Sequence, residues 1–238
     1  MGTVIERYPV EKYDTRDLAI EQSVREQMPG LLYYRGDISL LQGSVVAVIG
    51  SREISERGKA ISRNIAKALC KREKIVLNGL ALGCDAAALD EVVECGGKGI
   101  AVMPCGLDQI YPKTNQKLAE EILEKGGCLI SEYPEGIRPR KETFVARDRL
   151  QALFSSLVIV VESKEGSGTW HTVEFARRYR IPVACYVEKN GIFSRGNEML
   201  VQSNKAYALR DNEGMEYILE LSDGRWEQQS LPIFFNTK

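Results

Sequence analysis

The 238-residue sequence predicts an α/β fold, a doubly wound, mainly parallel sheet with helices on both faces. Three observations predict it. Short apolar runs rich in β-branched residues recur along the chain, each followed by an amphipathic stretch of helical length. The runs are of the type covered on both sides, apolar at almost every position. Polar, glycine-bearing turns stand where the runs end, at the strand edge where such sheets bind ligands.

Taken in order, residues 11–28 are polar and helix-compatible and stop at Pro29. Leu31-Leu-Tyr-Tyr-Arg-Gly-Asp37 reads as a short strand with a turn. Strands are expected at 45–49, 75–78, 99–103, 128–131, 157–161 and 182–186. Helices are expected at about 55–72, 85–95, 115–125, 143–155 and 169–179. The crossovers between parallel strands should be right-handed. After Tyr186 the pattern weakens into a turn at Phe193–Asn197, a short helix at Glu198–Ser203 and an edge strand at Lys205–Leu209. An acidic segment over 211–223 should hold a short helix, and Leu231-Pro-Ile-Phe-Phe-Asn-Thr-Lys238 is a tail. The chain therefore divides into an N-terminal helical or extended extension (1–42), the wound domain (43–210) and an acidic segment with tail (211–238).

Composition narrows the function. Hydrophobic residues make up 44% and charged residues 27%, as in ordinary globular proteins. With a net charge of −1 there is no global basic field, so any nucleic-acid contact must come from a local patch. No apolar run approaches the length that spans a bilayer, and the N-terminus lacks a signal-peptide pattern. The six cysteines, Cys70, Cys84, Cys95, Cys105, Cys128 and Cys185, show no Cys-x-x-Cys spacing and read as reduced core residues of a cytoplasmic protein. With His171 the one histidine, no metal site is expected, and no cofactor is assigned.

Val45-Val-Ala-Val-Ile-Gly-Ser-Arg-Glu53 carries the first functional signal. A strand that ends in a Gly50-Ser51 turn before a helix leaves backbone N–H groups pointing outward, an arrangement that suits phosphate. Arg52 adds a fixed charge and a planar fork of donors. Gly166-Ser167-Gly168 before a later helix is a second turn of this type, with Lys164 beside it. Two such turns at neighbouring strand ends say more than one.

Between them lie segments with two readings each. In Asn78-Gly-Leu-Ala-Leu-Gly-Cys-Asp85, Gly79 and Gly83 either let the backbone approach a ligand or form a plain turn, with Asp85 placed to cap the next helix. Gly106-Leu-Asp-Gln-Ile-Tyr-Pro112 reads as a loop that braces the sheet end. The run from Glu132 to Arg149 is a long connection in which Arg138, Arg140, Lys141, Arg147 and Arg149 surround Phe144. Cations hold phosphates and a ring stacks a base, which suits single-stranded nucleic acid. The plainer reading packs Phe144 into the core and pairs Arg147 and Arg149 with Glu132, Glu142 or Asp148. His171 has no nucleophile partner in sequence and reads as a neutral residue on a helix face. Catalytic serine motifs such as Gly-x-Ser-x-Gly are absent, and no catalytic residue is assigned. Gly168-Thr169 with Glu174 faintly resembles the phosphate turn of nucleotide phosphoribohydrolases of the "lonely guy" type, though the glutamate spacing does not match.

Together these segments resemble the Rossmann-like domain of the DNA-processing protein A (Smf) family from about Leu31 to Leu209. The signposts are Leu32–Asp37, Gly50–Arg52, Gly79–Asp85, Gly106–Pro112, Leu129–Pro134, Phe144 with Arg147–Arg149, Val160–Glu162, Gly166–Gly168 and Ser194–Gly196. The resemblance implies a single-stranded DNA binder that loads the recombinase RecA during uptake of transforming DNA, acts as a homodimer and has no established catalysis. Carried over by position, Gly50, Ser51, Arg52, Phe144, Arg147, Arg149 and Gly166 to Gly168 would line the DNA groove. The reading of the residues adds Gly79, Gly83, Lys141 and Lys164. Leu89 stands where the family usually has histidine, Asp148 where it has asparagine, and Asn78 where serine is common. The N-terminal helical domain and C-terminal winged helix of larger members are expected to be absent or reduced. Two other functions remain open: a nucleotide sensor or phosphoribohydrolase-like enzyme using the same turns, and a protein-binding scaffold working through 211–223 or Leu231–Phe235.

Overall fold

The computed structural model describes residues 4–18, 22–188, 192–210 and 212–223. The tail with Leu231–Phe235 and Lys238 lies outside the described residues. Nine strands form one sheet in the order β1-β2-β6-β5-β4-β3-β7-β8-β9. The strands are β1 (Glu11–Asp14), β2 (Leu31–Gly36), β3 (Val45–Ile49), β4 (Ile75–Asn78), β5 (Gly99–Val102), β6 (Cys128–Ser131), β7 (Leu157–Val160), β8 (Val183–Tyr186) and β9 (Tyr207–Leu209). The helices are α1 (Gln22–Arg25), α2 (Glu56–Cys70), α3 (Cys84–Glu94), α4 (Gln116–Glu124), α5 (Lys141–Leu153), α6 (Thr169–Arg178), α7 (Arg195–Gln202) and α8 (Asn212–Asp223).

Strands β6 to β9 across the sheet are mutually parallel, and β2 runs antiparallel to β6. Side chains alternate between two cores, as the strand period requires. Val46 and Val48 of β3 join Ile65, Leu69, Leu89, Leu118, Ile122 and Ile218 on the face covered by α2, α3, α4 and α8. Val45, Ala47 and Ile49 point the other way, to Leu150, Leu153, Val173, Ala176 and Leu200 of α5, α6 and α7. The doubly wound expectation holds, with every one of the six central strands in place.

The N-terminal reading needs correction. Residues 11–14 form a strand instead of the start of a helix, and among the described residues of 11–28 only Gln22–Arg25 is α-helical. The 1–42 extension is likewise continuous with the sheet: β1 pairs with β2, and β2 pairs with β6. Tertiary pairing overrides the local helical preference. Buried Arg35 fixes this edge by donating to Leu107 O and Ile5 O at 3.1 Å each, and to Tyr8 O.

Winding reverses between β3 and β7. The chain runs outward through β4, β5 and β6, returns beneath the sheet through α5, and places β7 on the free side of β3. The carboxyl ends of β3 and β7 thus border the crevice where sheets of this kind receive ligands. Asn197 ties the neighbouring strand ends together, with Nδ2 donating to Val161 O and Tyr186 O at 2.9 Å each and Oδ1 accepting from Ser163 Oγ at 2.8 Å. Replacing it leaves buried carbonyls unpaired. Asn197→Ala is expected to lower unfolding free energy by about 2–4 kcal/mol in urea denaturation, through several lost buried hydrogen bonds.

Candidate nucleic-acid interface

The switch crevice is partly filled from within. Ser51 N donates to Glu162 O at 2.7 Å, and Glu53 N donates to Ser51 Oγ at 3.1 Å. The Glu162 carboxylate lies over the N-terminus of α2, accepting from Ser55 Oγ at 2.8 Å and Ser55 N at 3.2 Å. Ser55 Oγ in turn caps Gly58 N at 3.0 Å. The Ser51 N–H, expected to face a phosphate, is therefore engaged by the protein's own oxygen. A carboxylate at this helix end satisfies the dipole that an outside anion would otherwise serve. What remains of this turn for a ligand is the Arg52 side chain, which is exposed and makes no ion pair among the described residues. The second turn is also engaged in part, with Ser167 N donating to Lys164 O at 3.2 Å, Trp170 N to Ser167 O at 2.9 Å and His171 N to Gly168 O at 3.0 Å. Gly166 and Gly168 are exposed, Ser167 is half-buried, and α6 begins without a side-chain cap. Lys164 stands between the two turns, paired with Glu53 at 2.6 Å in a fully solvated contact of small energetic weight.

Gly79 and Gly83 both serve contacts within the protein. A Cβ on Gly79 would overlap the Arg147 guanidinium, which lies flat against that backbone. Gly83, at φ +78°, packs on the Ser51 and Arg52 carbonyls, and Cys84 N donates to Ser51 O at 3.1 Å. Asp85 does not cap α3. It sits inside the first turn, and its Oδ2 accepts from Gly79 N at 3.0 Å and Ala81 N at 3.3 Å. Asn78 completes this brace, accepting from Leu80 N and donating to Asp85 O and Val48 O. Leu89 is buried in the core below.

The basic segment is mainly helical, because α5 starts at Lys141 and the connection shrinks to 132–140. Arg147 is 5% exposed, with Nε 3.1 Å from Asp148 Oδ1; neither Nε nor Nη1 has a hydrogen-bond partner among the described residues. Arg149 is paired with Glu132 and donates to Gln27 O. The ion-pair reading of Arg147 and Arg149 is thus the observed one, and both stiffen the scaffold. The matching reading of Phe144 is not observed: its ring is half-buried at the surface, outside both cores. Arg52 stacks over it at 5.0 Å and Arg147 at 5.8 Å, and Tyr111 meets it edge-on at 5.4 Å. Lys141 is exposed one turn before Phe144, with no ion pair among the described residues.

Arg52, Gly79, Ala81, Leu82, Tyr111, Pro112, Phe144 and Arg147 enclose a shallow pocket of ≈ 50 Å³. Tyr111 and Leu82, 40% and 46% exposed, are members that sequence reading missed. The available signal for Tyr111 was an aromatic at a strand's carboxyl end, in a loop credited only with bracing. A planar cation over an exposed ring, with a second ring at right angles, offers a base a stacking surface and a phosphate a charge.

Below this rim lies a buried charge cluster. Asp148 has its pKa pushed up to about 6, by burial first; Arg147 acts against the rise and Asp85 adds to it. Burial also raises Asp85, opposed chiefly by Arg147. His171 is exposed on the face of α6, as expected, and its Nδ1 lies 3.7 Å from Asp148 Oδ2. No group of side chains suited to a metal ion occurs among the described residues.

Comparison with known proteins decides the family. The model of the family described as DNA recombination-mediator protein A matches residues 6–220. The chain belongs to this family. Within the DNA recombination-mediator protein A family, Protein Smf of Synechocystis is 33% identical over 211 residues, 86% of this chain and 53% of the relative. DNA processing protein DprA of Streptococcus pneumoniae is 40% identical over 148 residues, 62% of this chain and 52% of the relative. The chain spans about half the length of these curated relatives. A solved structure describing the single-stranded DNA binding mode of DNA processing protein A from Helicobacter pylori superposes with a TM-score of 0.77 at 28% identity, covering 91% of this chain and 96% of that one.

Two outcomes follow from the cluster. Gly79→Ala is expected to displace Arg147 and lower stability by about 2 kcal/mol or more, measured by chemical denaturation. Asp148 has a folded pKa raised above its unfolded value, so its contribution is fully present below about pH 4 and is lost as pH rises through about 6. Relative to wild type, Asp148→Asn should therefore gain stability between those pH values, by up to about 3 kcal/mol, in melts recorded across that range.

Proposed function

We propose that this chain binds single-stranded DNA without sequence preference along the carboxyl edge of the sheet. The observation that carries the reading is the exposed stack of Arg52 on Phe144, with Tyr111 set against the ring. Aromatic faces accept any base, and cations follow the sugar-phosphate chain. Lys141, Arg138 and Lys164 add exposed charge from the segments that follow the strands, and the Gly166-Ser167-Gly168 turn follows Lys164 closely in sequence. Arg147 and Arg149 act from beneath, as supports, with Gly50, Ser51, Gly79 and Gly83 shaping the turn that presents Arg52. The binding mode described for the Helicobacter pylori relative supports this assignment.

The pocket at the stack is far smaller than the roughly 300 Å³ or more that encloses a small ligand, which favours an open strand over a trapped nucleotide. A larger pocket of ≈ 350 Å³ between Glu162–Glu165 and Phe193–Gly196 is lined by two carboxylates and by the cations Lys164 and Arg195, and shares no lining residue with the stack. Within the family context, the bound strand serves recombinase loading in DNA uptake or recombination, with the protein acting as a cytoplasmic homodimer and without catalysis of its own. No helix among the described residues is long and apolar enough to cross a membrane.

The test is fluorescence anisotropy with labelled oligo-dT. Affinity should fall steeply with salt, because bound phosphates release counterions. Phe144→Ala should weaken binding by about 1–3 kcal/mol per stacked base. Arg52→Ala should weaken it markedly, while Lys71→Ala, at the far end of α2, should leave it unchanged. Binding insensitive to salt, or equal loss in both lysine and arginine variants, would refute the assignment.

A further inference from the structure

We propose that Asp148 sets the affinity of the rim for nucleic-acid phosphate by competing with it for Arg52, so that a strand binds more tightly once the Asp148 charge is removed. The inference rests on the reading of the rim as a single-stranded DNA site and concerns how that site is tuned.

Four charged groups face the Asp148 carboxylate, each from a different segment. Arg147 precedes it on α5, with Nε 3.1 Å from Oδ1. Asp85 comes from the first turn of α3 and acts on it as a like charge. Arg52 reaches it electrostatically from the turn after β3. His171 of α6 stands 3.7 Å from Oδ2. The uncharged neighbours are Gln151, whose Nε2 donates to Oδ1 at 3.0 Å, and Thr172, which Gln151 also meets.

These groups differ in freedom. Arg147 is held between Gly79 and Phe144, buried, and cannot turn outward without breaking that stack. Asp85 is held by two backbone N–H groups. Arg52 is the exposed member, fixed chiefly by its place over the Phe144 ring. Two buried carboxylates therefore stand against two guanidinium groups, one internal and one at the surface. A phosphate that takes Arg52 draws away the smallest of the opposing charges and leaves Asp85 and Asp148 sharing Arg147, with His171 beside Asp148. The same phosphate is repelled by the uncompensated carboxylate below it. Removing the Asp148 charge ends both effects and leaves Arg147 matched to Asp85 alone. Burial already brings Asp148 to about 6, and an anion bound above raises it further, so strand binding takes up a proton and strengthens as pH falls.

The experiment is the affinity of the full chain for labelled oligo-dT at constant ionic strength, followed from about pH 8 to about pH 5. Wild type should gain about five- to tenfold in affinity across the step. Asp148→Asn keeps the size of the side chain and the acceptor for Gln151. It should bind at the upper pH as tightly as wild type does at the lower one, with a nearly flat profile. Because imidazoles in general also titrate between about pH 5 and 8, His171→Gln is the companion variant, and it should retain the step. Weaker binding by Asp148→Asn, or a step abolished by His171→Gln alone, overturns the proposal. If Asp148→Asn melts out before measurement, the His171→Gln profile decides. Loss of binding in Arg52→Ala with Asp148→Asn unchanged refutes only this inference. Absence of binding in wild type at every pH refutes it together with the DNA reading.

Discussion

The reversal of winding between β3 and β7 is the constraint on which the site depends. It sets the strand ends at Ile49 and Val160 side by side and brings the starts of α2 and α6 to one crevice. Two helix N-termini facing the same gap produce a concentration of unpaired donors. The protein settles part of this by inserting Glu162 over α2, and leaves the α6 end without a side-chain cap. The positive side chains at the rim are thereby displaced outward, toward solvent, where a flexible strand can reach them. A tightly enclosed phosphate cradle would have needed the α2 donors that Glu162 already holds.

Arg147 connects the scaffold to the rim. Its guanidinium rests on the backbone of Gly79, underlies the Phe144 ring and neutralises part of two carboxylates. A buried cation in such a place is costly in isolation and tolerable only with paired charge around it. The pairing explains why Asp85 and Asp148 both occur beneath a basic rim. They position the arginine that supports the stacking surface, and the balance among them carries the proposed tuning.

Function here is divided between charge that binds and charge that builds. Arg52 and Lys141 have no ion pair among the described residues, whereas Arg147 and Arg149 are held by carboxylates away from solvent. A basic segment of sequence therefore overstates the charge available to a ligand. The aromatic contribution is understated by the same segment, since Tyr111 arrives from a different strand end to complete the surface around Phe144.

The order of strands and helices was legible in the sequence, because buried parallel strands are short, apolar and β-branched, and their helices carry a clear amphipathic period. The six central strands and their helices fall where that pattern puts them, and Arg52 and Phe144 stand out locally as a cation after a strand and a ring among cations. Residues 11–14 became a strand only because β2 was there to pair with them. The fate of each charge was likewise decided in three dimensions. Glu162 lies 107 positions from the Ser55 that it meets, and Arg149 lies 122 from Gln27. Periodicity is a property of neighbours along the chain and survives in one dimension, whereas the compensation of a charge depends on distance in space, which only the packed sheet supplies.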